Sequence, residues 1–198
     1  MSVRGDGTDR LGVLAVVASV LMLAGCATAY LQGQSELRGG RPAEARRHFE
    51  EALAIRPDRL DALAGLAIAE YELGNFDRAV PLFQRVVARM PRNAEARPYL
   101  GLAHLQRNER TRAAAAMTEA RQLGLPPRTV AQIDRALPLL DTELSDAVRA
   151  FIASSLEGDL EWAAQVHDAR TAPRARLEPT WVIHSDWHAL FPHVHGVP

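Results

Sequence analysis

The sequence predicts an all-α solenoid built from helix-turn-helix hairpins, and three observations predict it. The stretch Leu60 to Asn93 reads as a helix, a tight turn and a second helix. Ala62, Leu63, Leu66 and Ala69, with Ile68 and Tyr71 beside them, recur at helical spacing; Gly74-Asn75 breaks the run, and Ala79, Leu82, Phe83, Val86 and Val87 resume it. The pattern also returns at an interval of 34 residues, as Ala45, Ala79, Ala113, then Phe49, Phe83, Met117, then Ala52, Val86, Ala120. Finally, the punctuation keeps step, with Gly40, Gly74 and Asn108 at the turns and Pro57, Pro91 and Leu125-Pro126 between hairpins. One hairpin cannot bury its own apolar face, so the repeats must stack.

This period, with its small, large and proline positions, resembles the tetratricopeptide repeat (TPR) family. The resemblance implies a right-handed superhelical solenoid with C-terminal capping helices, whose groove is lined by the first helix of each hairpin. Carried onto this chain, the inward positions are Tyr30, Gln34, Leu37, Asp61, Ala64, Ile68, Tyr71, Glu95, Pro98, Leu102 and Leu105. That is a mostly apolar trough with acidic rims, suited to an amphipathic helix or an extended peptide, with Tyr71 as an anchor. The alternative is that Ile68, Leu102 and Leu105 pack against neighbouring helices or the chain's own tail. The basic and Asn side chains with which chaperone-binding members of the family grip a peptide carboxylate are missing, since Tyr30, Gln34, Gly65, Glu95 and Tyr99 occupy their places.

At the amino terminus, residues 1–25 read as an address. The apolar run Leu11 to Ala24 is 14 residues long, which spans roughly 21 Å as a helix and falls short of the ~30 Å hydrocarbon core of a bilayer. A secretory signal therefore fits better than a spanning helix. The run ends in Leu23-Ala24-Gly25-Cys26, which resembles the lipobox of bacterial lipoproteins. That resemblance implies cleavage before Cys26, acylation of its thiol and attachment to a membrane. Ala27 follows where an Asp typically retains Gram-negative lipoproteins in the inner membrane, which implies an outer-membrane protein facing the periplasm. Cys26 is the only cysteine, so no intramolecular disulfide and no CxxC pair can form.

Residues 26–127 hold the three repeats. The first helix, about Thr28 to Arg38, is expected to be the weakest, because Gly33 costs about 1 kcal/mol against Ala and Gly39-Gly40 ends it early. Its partner, Pro42 to Ile55, opens on a proline where a missing N–H does little harm and carries Ala45, Phe49, Ala52 and Leu53 on one face. In the second repeat Asp58 and Asp77 stand where N-caps are needed, and Pro81 falls close to its helix start. The third keeps Leu100, Gly101, Ala103, Ala113, Met117 and Ala120.

Residues 128–170 are expected to form a degenerate fourth repeat with capping helices. Ala147 and Phe151 follow Ala113 and Met117 by the same interval, but Asp134-Arg135 replaces the Leu-Gly pair, and a further helix is expected from Asp159 to about Ala169. Periodicity ends in residues 171–198, where four prolines, two of the three tryptophans and four of the seven histidines gather. His184, His188, His193 and His195 near Asp186 invite a metal reading. Pro179 and the β-branched run before Ser185 argue against one helix presenting His184 and His188 together, so no metal site is assigned. The segment reads as a docked aromatic tail or a loose end.

The chain carries 23 Arg, no Lys and a net charge of -1, so no basic excess argues for nucleic-acid binding. Its sequence has no Gly-rich phosphate loop and no HExxH, and His184-Ser185-Asp186 are neighbours that cannot easily meet as a triad. Glu157, Asp159, Glu50 and Glu51 read as ordinary solvated helix charges. The expectation is therefore a scaffold without catalytic residues or cofactor, which binds a protein or peptide in its groove and a membrane through Cys26. Lipoproteins resembling this one assist pilus, secretion or outer-membrane assembly. Two rivals are a tail-centred ligand module on a TPR platform and a purely structural envelope spacer; the sequence gives no oligomeric state.

Overall fold

A computed structural model describes residues 27–171, with side chains described through Glu161 and at Ala164. The Leu23-Ala24-Gly25-Cys26 motif, the apolar run before it and the tail from residue 172 lie outside the described residues. The chain divides into two units, Met1–Ala163 and Ala164–Pro198. In the first, the described elements run α1 (27–38), α2 (Pro42–Ile55), α3 (Leu60–Glu72), α4 (Phe76–Arg89), α5 (Ala96–Gln106), α6 (Arg110–Ala120), α7 (Pro127–Ala136) and α8 (Asp146–Thr171), the last running on into the second unit. Short 3-10 turns sit at Arg121–Leu123 and Leu137–Asp141. Among the described residues every regular element is helical, and none is long and apolar enough to cross a membrane. Helices adjacent in sequence from α2 to α6 pack on one another and α3 also touches α5, the arrangement of an all-α TPR-type solenoid.

The three predicted turns close in one way. Gly40, Gly74 and Asn108 have φ of 66°, 75° and 59°, the left-handed region that ends a helix most easily at Gly or Asn. At each, the residue after the turn donates its N–H to the carbonyl five residues back, Arg41 to Glu36, Asn75 to Glu70 and Glu109 to His104, all at 2.9 Å. The side chains of the same pairs also bond. Arg41 pairs with Glu36, Asn75 Nδ2 donates to Glu70 Oε2 at 2.7 Å, and His104 Nδ1 lies 2.6 Å from Glu109 Oε2. One geometry thus recurs with three different chemistries, so the clasp is a property of the repeat and not of a particular pair.

Packing explains the small residues. Phe49 is fully buried between α1 and α3, where a Cβ on Gly33 would stand 2.8 Å from its ring and one on Gly65 closer still. One repeat later, Tyr99 stands where Gly65 stood and stacks on Phe83 at 5.9 Å. Burying such a side chain contributes about 1.5–3 kcal/mol, which offsets the weak propensity of a glycine-bearing first helix.

Several local expectations change. Asp58 and Asp77 are not N-caps: α3 and α4 start after Arg59 and Asn75, with no side-chain cap bond. Asp77 instead sits in the first turn of α4, where its charge suits the helix dipole, and pairs with Arg107 at 3.1 Å. Pro81 lies inside α4, more than a turn from its start, and the helix runs through it. No separate capping helix begins at Asp159, because α8 is continuous through Gly158. Phe151 and Ala147 do not follow the inward register, since Phe151 is 70% exposed and Ala147 is exposed. The buried face of α8 is instead Ile152, Ala153, Leu156 and Leu160, which shares a core with Ile133 of α7 and Leu140 of the preceding turn.

Candidate functional site

The inward positions separate into an open part and a covered part. On α1, Tyr30, Gln34 and Leu37 are half-buried, and across from them Asp61 is exposed at the start of α3. Gln34 Nε2 donates to the Tyr30 hydroxyl at 2.5 Å. The Arg59 guanidinium lies 4.0 Å from the centre of the Tyr30 ring while gripping Asp61 with two bonds, of 2.8 and 3.1 Å. Burial, then Asp61, pushes the Tyr30 hydroxyl above its usual range. Glu95 is exposed before α5.

Farther along, Ala64 and Ile68 are buried, and Pro98, Leu102 and Leu105 are among the fully buried side chains. Leu102 and Leu105 belong to the same core as Ile152, Leu156 and Leu160 of α8. These positions thus take the packed alternative and face other helices of the chain. Tyr71 is 4% exposed, its ring 5.4 Å from Phe76 and 5.5 Å from Tyr99. Its hydroxyl donates to the Glu157 carboxylate of α8. Burial, then that bond to a carboxylate, pushes the Tyr71 hydroxyl well above the phenol range.

Beside these rings lies a partly open cavity of about 270 Å³. Tyr71, Phe76 and Tyr99 wall it, Glu72, Glu157 and Glu161 give it charge, and Gly74 and Gln106 complete its lining. Burial, then Glu161 and Glu157, raises the Glu72 carboxyl to about 7. Burial, then Glu95, Glu72, Glu161 and Glu157, pushes Tyr99 far up as well. The arrangement is chemically a negative pocket with aromatic walls. Among the described residues no group of three or more His, Cys, Asp or Glu side chains is placed so that it could hold a metal ion.

The sequence reading missed Glu72, Phe76, Glu157 and Glu161. Glu157 is not an ordinary solvated charge, because it bonds Tyr71. Nor is Asp159, which is 5% exposed and pairs with Arg128 at 2.7 Å. A signal for Glu72 existed, since it follows Tyr71 as Gln106 follows Leu105 one repeat later. For α8 the only signal was Glu157 and Glu161 four apart on one helical face.

The fold is an all-α helical-repeat solenoid of TPR type, and the comparisons fit that fold. The tetratricopeptide repeat family model matches residues 36–97. Among solved structures, the fold is shared with MamA 41-end from Desulfovibrio magneticus RS-1, at 20% identity and a TM-score of 0.54, covering 74% of this chain and 78% of that one. A second MamA crystal structure is 15% identical with a TM-score of 0.53, covering 73% of this chain and 80% of that one. A mutant of Thermobaculum terrenum O-GlcNAc transferase is 23% identical with a TM-score of 0.54, and the match covers 73% of this chain but 26% of that larger one. No curated protein matches the sequence.

Proposed function

We propose that this chain is a non-catalytic scaffold that holds a protein or peptide partner against its inward face, tethered to the cell envelope by a lipid on Cys26. The observation that carries the scaffold reading is the partly open cavity beside Tyr71, on a TPR-type solenoid whose other inward side chains are largely spent on packing. The tether rests on the Leu23-Ala24-Gly25-Cys26 motif after an apolar run. Two or more acyl chains anchor a protein stably, and a tethered groove then acts by raising the effective concentration of its partner at the membrane. The outer membrane, facing the periplasm, is the compartment that Ala27 favours.

Two measurements test this. Radiolabelled palmitate should enter the wild-type chain and not Cys26→Ala; labelling of both, or of neither, sinks the tether. A photo-crosslinker placed at Gln106, in the cavity lining, should trap one discrete envelope protein, whereas the same group at the exposed Arg47 of α2 should not. Equal trapping at both positions, or none at either, sinks the scaffold reading.

A further inference from the structure

We propose that the cavity between α3, α5 and α8 receives a cationic side chain, a guanidinium or ammonium group carried by an extended segment of the protein partner; this rests on the scaffold reading and names the chemistry of its contact. Glu72 comes from the end of α3, and Glu157 and Glu161 come from successive turns of α8. None of the three enters an ion pair among the described residues. Elsewhere in the chain carboxylates find an arginine, as Glu70 does in Arg78 at 3.0 Å, Asp77 in Arg107 and Asp159 in Arg128. In an Arg-rich chain, three converging carboxylates left without a cation make a field that nothing described neutralises.

The walls sharpen the chemistry. Tyr71, Phe76 and Tyr99 lie within 5.5 Å of one another in the pairs Tyr71–Phe76 and Tyr71–Tyr99, and aromatic rings attract a desolvating cation. Tyr99 is 5% exposed, lines the cavity, and its hydroxyl has no hydrogen-bond partner among the described residues. That hydroxyl, on a side chain otherwise almost wholly buried, is available to an occupant with N–H groups. Gly74, with open space where a Cβ would stand, leaves room at the lining for an entering side chain. A bare metal ion is the poorer match, because these carboxylates do not form a group that could hold a metal ion. An organic cation uses both carboxylates and rings.

Tyr71 is a positioning residue here, since its hydroxyl holds Glu157 against the cavity. Helix α8 therefore does more than pack on the repeats before it: it supplies two of the three charges.

The test uses the full chain and the blocked peptide acetyl-Gly-Ser-Arg-Ser-Gly-amide, titrated by NMR beside its lysine version and its citrulline version, which keeps the shape of arginine without the charge. The arginine or lysine peptide should shift the resonances of Glu72, Tyr99 and Glu161 and bind about tenfold more tightly than the citrulline peptide. The double variant E72Q/E161Q, whose spectrum reports that it folds, should lose that preference. Equal binding of charged and citrulline peptides, or an unchanged preference in the double variant, overturns the cation site. The crosslinker at Gln106 separates the two failures: if the double variant traps the partner as well as wild type does, the cation site falls and the scaffold stands, and if wild type traps nothing the scaffold itself falls.

Discussion

The hairpins from α1 to α6 and the pair formed by α7 and α8 begin from the same sequence rhythm and end in different structures. In the hairpins, position for position, Phe49, Phe83 and Met117 are buried to the last atom or nearly so. One interval later Phe151 stands 70% exposed, and the buried face of α8 has rotated to Ile152 and Leu156. An interior second helix is gripped by its own first helix and by the first helix of the next repeat, and that double contact enforces the register. Among the described residues no further hairpin follows α8. That helix is free to turn toward whatever apolar surface is left, here Ile133 and Leu140, and so brings Glu157 onto Tyr71. Repetition fixes the interior of a solenoid, while its end is free to be shaped for a purpose.

The sharpest way to break this comparison is to truncate the equivalent aromatics. Phe83→Ala should cost about 3–5 kcal/mol, for a fully buried ring stacked on Tyr99. Phe151→Ala should stay within about 0.5 kcal/mol. Chemical denaturation of the two variants reads both, and a comparable loss in each would mean that the register persists into α8.

A smaller effect separates the glycines. Gly65→Val should cost about 1–3 kcal/mol by overpacking the Phe49 ring. Gly158→Ala, with open space around its site inside α8, should stabilise by about 0.5–1 kcal/mol. Melting curves giving the same sign for both would remove the distinction between a constrained interior and a free end. At the turns, Gly74→Ala should cost about 1–2 kcal/mol because φ is 75° there, whereas Asn108→Gly should cost nothing.

What could be read from the sequence follows the same division. Gly40, Gly74 and Asn108 were legible because a left-handed turn has few residue solutions, and Ala45, Ala79 and Ala113 because close helix approach has few. The caps were misread: Asp58 and Asp77 have the right chemistry, but the helix starts are set by the Schellman-type turn and the Arg59 grip on Asp61. The cavity was half legible. Tyr71 stood out at an inward position, but its partner Glu157 lies 86 residues away, and no local pattern announces a contact at that separation. Leu102 and Leu105 looked like groove lining because the rule that places them assumes an open inner face, which α8 here partly fills.

The mildest effect probes the end of the stack through its protons. Glu72 faces Glu157 and Glu161 from α8 and the rings of Tyr71 and Tyr99, with Gln106 nearby. Burial first, and then the two glutamates, raise its carboxyl from 4.5 to about 7, so the folded chain holds a proton that the unfolded chain has released. The sign follows: the folded state binds more protons between those values, and stability must fall as pH rises through them. The contribution is complete below about 4.5 and is lost as pH passes about 7. Glu36 and Glu109, held low by Arg41 and by His104 respectively, act in the opposite sense and only at more acid pH, so they do not mask the window. Denaturation midpoints measured from pH 5 to pH 8 should therefore decline in wild type and decline less in Glu72→Gln, with the difference between the two curves opening across the window. Parallel curves would mean that Glu72 is solvated like any surface carboxylate and that α8 does not crowd it. A saturating arginine peptide should also flatten the wild-type curve, because a cation among the three glutamates favours the ionised form that crowding opposes.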